Sequence, residues 1–169
     1  MPGLESAAAP LEVSDFKALD AAKAALRPKL STAQSFPTVL HSLRFLDVAV
    51  SEPGPGIPQF MEMGYVDGIP ITRYDSERGR AEPLTPWMAA GAEPGYWDRE
   101  TQRNEGTQLI ETTNLEIARG RYNHSRGLHT WQTLSGCDLL SDGSVRGSYQ
   151  YSYDGQDFIS FELGSRSFV

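Results

Sequence analysis

The chain has 169 residues, 39% of them hydrophobic and 22% charged, with a formal net charge of −7. That is the composition of one ordinary globular domain with a core of its own. The acidic balance argues against a nucleic-acid or anionic-membrane surface, which needs excess Lys and Arg, and no stretch approaches the roughly eighteen apolar residues of a membrane-spanning helix.

Residues 1–40 differ in texture from the rest. Ser14 or Asp15 caps a weak helical pattern of Phe16, Leu19, Ala22 and Leu26 that stops before Pro28. Short Ala-rich helices are marginal in water, so a poorly ordered or weakly helical extension is expected. Asp15, Lys17, Asp20, Lys23 and Arg27 interrupt any apolar run, so no secretory signal is read here.

From His41 the pattern turns to strand. Leu43–Val50, Gln59–Tyr65 and Ile69–Tyr74 are joined by the Pro/Gly loop around Pro53–Pro58 and by the turn at Asp67-Gly68. Pro70 opens the third strand, where a missing N–H is tolerated but weakens pairing. Ala81–Thr85 reads as a fourth, short edge strand. Pro86–Ala90 then gives one helical turn. Tyr96–Tyr122 is free of proline and predicts a helix of roughly 40 Å at 1.5 Å per residue. Its apolar stripe is thin. Glu100, Arg103, Glu105, Glu111, Glu116, Arg119 and Arg121 are read as a solvated face, and Gly106 with Thr112-Thr113 makes a kink plausible.

A second meander follows. Thr130–Leu139, Val145–Tyr153, Asp157–Leu163 and a last short strand are separated by turns at Asp142-Gly143, Asp154-Gly155 and Gly164-Ser165. Four strands, a long helix and four more strands imply an α+β fold, with the helix segregated to one face of an antiparallel sheet. The predicted division is an extension at 1–40, a first half at 41–126 and a second half, strands only, at 127–169.

No catalytic constellation or cofactor motif emerges. The three histidines, His41, His124 and His129, show no metal-ligand spacing with Cys or Asp, and there is no nucleophile elbow or phosphate loop. Asp154 and Asp157 flank a hairpin and serve the turn. The expectation is a non-enzyme without metal or cofactor.

Taken together, Ser42-Leu43-Arg44-Phe45, Pro53-Gly54-Pro55-Gly56-Ile57-Pro58, Gly64-Tyr65-Val66-Asp67-Gly68, Tyr96-Trp97-Asp98-Arg99-Glu100-Thr101-Gln102, Arg121-Tyr122-Asn123, Gly136-Cys137-Asp138 and Tyr153-Asp154-Gly155-Gln156-Asp157-Phe158 resemble the antigen-binding platform of MHC class I heavy chains, in order and spacing, and the avian type more than the mammalian. The resemblance implies an eight-stranded sheet carrying two helices with a groove between them. This sequence would supply the sheet and the first helix, ending before the second. The implied partners are β2-microglobulin beneath the sheet, a peptide or lipid in the groove, and T-cell or natural-killer receptors above it, at the cell surface. Two other readings stay open: a non-classical protein holding lipid or nothing, and a truncated product with no presenting role.

By the same resemblance Phe45, Tyr96 and Glu100 flank one end of the groove and Arg121 the other. Phe45 stands where the family carries tyrosine and so lacks its hydroxyl, whereas Arg121 offers a guanidinium to a terminal carboxylate. Asp47, Glu62, Gln132, Ser135, Tyr149 and Tyr151 are candidates for the floor, with period two fixing which share a face but not which face is up. Asn123-His124-Ser125 is an N-glycosylation sequon at the family's glycan position. Cys137 resembles the floor cysteine that the family bonds to its second helix, so here the expectation is a thiol.

Overall fold

A computed structural model of the chain describes residues 36–162 and 167–168. The weak helix expected before Pro28 falls outside them. In the unit Pro37–Val169 the strands are β1 (Val39–Val50), β2 (Phe60–Val66), β3 (Ile69–Asp75), β4 (Arg80–Pro83), β5 (Thr130–Leu140), β6 (Val145–Tyr153), β7 (Gln156–Glu162) and β8 (Ser167–Phe168). The helices are α1 (Pro86–Gly91) and α2 (Tyr96–Tyr122). Val39 and Leu40, assigned to the extension by sequence, are the first residues of β1.

All eight strands form one sheet in the order β4-β3-β2-β1-β5-β6-β7-β8. Each half is a meander, and the halves meet where β1 pairs antiparallel with β5, from Val39–Leu140 to Val50–Thr130. Two of the turns have one geometry: Asp67 and Gly68 have φ of 51° and 78°, Asp154 and Gly155 50° and 76°. Positive φ at both central residues defines the type I′ turn, whose twist matches that of the flanking strands. Pro70, with no N–H for the ladder, sits beside the register shift between Gly64 and Tyr65.

Helix α2 runs its 27 residues without interruption. The hydroxyls of Thr112 and Thr113 donate to the carbonyls of Gln108 and Leu109 one turn back, at 2.7 and 2.8 Å. The helix ends at Asn123, which takes the left-handed conformation (φ 59°) that asparagine tolerates. Leu115 and Ala118 pack on Ala49, Phe60, Tyr74, Ala81, Trp131 and Tyr153 of the sheet. Trp97 packs on the same cluster and the Tyr122 ring stacks on Tyr153 at 5.0 Å. Between them the underside is polar, with Thr101 accepting from the Ala81 N–H at 3.0 Å and Gln108 accepting from the Tyr74 hydroxyl at 3.0 Å. Among the described residues no helix is long and apolar enough to cross a membrane.

Candidate ligand-binding groove

Side chains alternate across a strand, so one contact with α2 settles a whole face. The Thr133 hydroxyl donates to Glu111 of α2 at 3.0 Å, which puts the odd-numbered residues of β5 on the helix side. The register carries that face sideways. Thr133 lies opposite Asp47 and Tyr151, and Asp47 opposite Glu62. A neighbouring row runs Gly64, Phe45, Ser135, Tyr149. Phe45, Asp47, Glu62, Ser135, Tyr149 and Tyr151 therefore share the floor beneath α2. Gln132 does not, which corrects its place among the floor candidates. It stands between Val48 and Ser152 on the opposite face, and its amide oxygen accepts from the Gly155 N–H at 3.0 Å. A residue three positions from Ser135 on one strand cannot share its face.

Over the first row lies a charge cluster. Arg103 donates two hydrogen bonds to Glu62, at 2.6 and 2.9 Å, and two to Glu100, at 2.8 and 3.0 Å. The guanidinium also lies 5.3 Å from the centre of the Phe45 ring, a cation–π distance. Burial works against its charge, but Glu62 and Glu100 outweigh it and raise the Arg103 pKa. Gly64 makes room for this arrangement, since a Cβ there would lie 2.9 Å from Cε1 of Phe45 and collide with the Thr72 hydroxyl. Glu100 thus joins Glu62 through Arg103, while Tyr96, at the start of the helix, packs edge-on against Trp97 at 5.0 Å.

Two more carboxyls sit deeper. Asp47 is 6% exposed, Glu62 3% and Glu111 2%. Burial first, then the nearby Glu62 and Glu111 carboxylates, hold the Asp47 carboxyl well above the usual range. Its Oδ1 is buried without a protein hydrogen-bond partner. Burial pushes Glu111 up too, against hydrogen bonds from Asn114 and Thr133 that favour its ionised form. The Tyr149 hydroxyl is likewise raised by burial and by its neighbour Tyr151, whose ring lies 5.0 Å away. These positions correct the reading of a solvated charged face: Glu111 is buried against the floor and Arg103 is clamped between two carboxylates. A 3–4 spacing from Glu100 through Arg103 and Thr107 to Asn114 was the available signal, but which carboxylate meets a partner on a distant strand is not written in the helix.

At the far end, the Arg121 guanidinium lies 5.4 Å over the ring of Phe158 on β7, and that ring packs on Trp131 at 5.3 Å. Asn123, the sequon residue, is exposed just past the helix. Cys137 is a buried thiol on the helix side of β5. The opposite face of the sheet carries an uncovered apolar band, in which Leu46 pairs with Leu134 and Met63, and Val48 with Met61. Leu46 and Met61 are each 36% exposed and Leu134 is 40%.

Residues 39–169 match the family model described as class I histocompatibility antigen, domains alpha 1 and 2. The rat (Rattus norvegicus) major histocompatibility complex class I-related protein 1 is 50% identical over 132 residues, 78% of this chain and 38% of the relative. The chicken (Gallus gallus) class I histocompatibility antigen F10 alpha chain is 46% identical over 130 residues, 77% of this chain and 38% of the relative. The bovine (Bos taurus) class I-related protein 1 is 44% identical over 144 residues, covering 85% and 41%. The chain therefore spans about two fifths of the length of these relatives.

Proposed function

The chain belongs to the class I histocompatibility antigen family, and from that membership we propose that its full-length form displays a peptide to immune receptors at the cell surface. The observation that carries this reading is a floor of Phe45, Asp47, Glu62, Ser135, Tyr149 and Tyr151 under a helix with Glu100 near one end and Arg121 at the other. From Glu100 to Arg121 the helix extends roughly 32 Å at about 1.5 Å per residue. An extended peptide of about nine or ten residues covers that length at about 3.3 Å each. Arg121 supplies a charge-assisted partner for the carboxylate at one peptide end, and Tyr96 with Glu100 supplies polar groups near the other.

The uncovered band of Leu46, Val48, Met61, Met63 and Leu134 is the surface on which we place the light chain, β2-microglobulin. Asn123, exposed and in a sequon, is the residue we assign to the glycan. A second reading, a class I-related protein that holds a lipid or no ligand and serves as a receptor ligand, is favoured by one feature, the hydroxyl missing at Phe45. Mass spectrometry of material eluted from the full-length protein separates the two. Peptides of about nine residues support display of peptide; acyl compounds alone, or an empty groove, refute it.

A further inference from the structure

The two halves of the sheet share one turn device, and the second copy is more elaborate. In the first, the Asp67 carboxylate accepts from the Ser42 N–H at 2.7 Å and lies 2.6 Å from Nδ1 of His41. In the second, Asp154 accepts from the Thr130 N–H at 2.8 Å and lies 2.8 Å from Nδ1 of His129. The second copy adds three things. Nε2 of His129 is 3.1 Å from the Arg126 carbonyl, the His124 ring stacks on His129 at 4.7 Å, and Nδ1 of His124 is 2.9 Å from the Tyr153 hydroxyl. One ligand atom from each of His124, His129 and Asp154 lies within 4.8 Å of the others, the only such cluster among the described residues.

A carbonyl oxygen can only accept, so Nε2 of His129 carries a hydrogen and donates it to Arg126. In the neutral ring, Nδ1 then turns a lone pair toward the Asp154 carboxylate. Two acceptors 2.8 Å apart need positive charge between them. A proton or a metal cation can fill that role. We propose that His124, His129 and Asp154 together bind one divalent transition-metal ion, with Zn2+ the best match, in place of that proton. Two bonds of about 2.1 Å in a tetrahedral site put their ligand atoms about 3.4 Å apart, so the His129–Asp154 pair must open slightly and His124, whose ligand atom lies within 4.8 Å of the others, must close in. His129 already has the outer partner that orients a metal-bound histidine, a backbone carbonyl, and His124 has a hydroxyl partner. Because the two rings stack within 14° of parallel, the exposed His124 ring must turn to bring Nε2 into line with the ion. His124 and Asp154 are solvent-exposed, which leaves a path for the ion and a fourth position for water. The bound ion fastens the segment after α2 to β5 and to the β6–β7 turn, whatever the groove holds.

Isothermal titration of the full chain with ZnCl2 at pH 7.5 tests this. One Zn2+ per chain is expected, with no binding of Mg2+. His124→Gln, a change at an exposed ring, weakens binding at least about tenfold; Tyr153→Phe, which removes only the outer partner, weakens it about tenfold or more. His41→Gln leaves stoichiometry and affinity unchanged, because the first copy offers two donors only. Should His124→Gln prove unstable, proton NMR of the wild type decides. The His124 and His129 imidazole signals shift with Zn2+ while that of His41 stays. No binding by the wild type, unchanged affinity in His124→Gln, or a shift of His41 alone overturns the proposal.

Discussion

Asp47→Asn is the most direct probe of the groove floor. The substitution keeps the volume of a side chain that is 6% exposed and removes a carboxyl facing Glu62 and Glu111. An unfolded Asp titrates near about 3.9, while burial and the two carboxylates raise the native value well above that. Between the two, the native state holds a proton that the unfolded chain has released. Stability therefore falls as pH rises through that window, by up to about 1.4 kcal/mol per pH unit, and the loss is complete above the native value. Asparagine never ionises, and its amide donates to Glu62. The expected gain at pH 7.5 is about 1–3 kcal/mol, the cost of a buried polar group lacking its partner. In a unit of this size that is roughly 4 °C in Tm per kcal/mol. Below about pH 4 both side chains are neutral and the gain shrinks toward zero. Calorimetry of both proteins at pH 4 and pH 7.5 measures it. A variant less stable than wild type at pH 7.5, or a gain of equal size at both, would show that Asp47 is not held against its charge.

Four further substitutions address other parts of the platform. Arg103→Met strips Glu62 of the cation it pairs with among the described residues and leaves a buried carboxylate behind; a loss of about 2–4 kcal/mol is expected, below the full cost of a broken buried pair because Arg103 is 38% exposed, and a chemical-denaturation midpoint equal to wild type would contradict it. Gly136→Ala drives a Cβ into the Leu43 carbonyl, with Cδ of Arg44 only 2.8 Å away. Backbone cannot swing aside there, so the β1–β5 seam should lose about 3 kcal/mol or more; Gly155→Ala, strained only by its φ of 76°, should lose about 1–2 kcal/mol. If the two alanines prove equally costly, the seam is not the tight point described. Asn123→Gln, in protein secreted from eukaryotic cells, should remove one glycan and sharpen the gel band, and an unshifted band would withdraw the assignment.

How much of this was legible in the sequence differs by element. The Asp-Gly pairs announced their hairpins because a type I′ turn demands two positive φ values that few residue pairs supply. The long helix was legible from its proline-free run, Tyr96–Tyr122. The joining of β1 to β5 into one sheet came only through the family resemblance, because nothing local couples Leu43 to Cys137. The underside of α2 was misread for a related reason. Arg103 finds Glu62 forty-one residues away and Glu111 finds Thr133 twenty-two away, so the same letters read as a solvated face until the sheet is assembled. Gln132 failed on arithmetic the sequence did contain, since period two already separated it from Ser135.

The polar underside also says how groove and helix are coupled. Besides the apolar and aromatic contacts of Trp97, Leu115, Ala118 and Tyr122, α2 meets the sheet through hydrogen bonds and ion pairs spaced along its length: Thr101 to β4, Arg103 to β2, Gln108 to β3 and Glu111 to β5. An apolar interface resists sliding weakly and everywhere alike, whereas these contacts are directional and each names one strand. They fix the register of helix on sheet, and with it where Glu100 and Arg121 stand over the strands. The same contacts leave Asp47 with more carboxylate than cation around it. Holding the helix in register and burying an acid at the centre of the floor are thus two results of one arrangement, and Asp47→Asn separates them by removing the acid while Arg103, Glu62 and Glu111 stay in place.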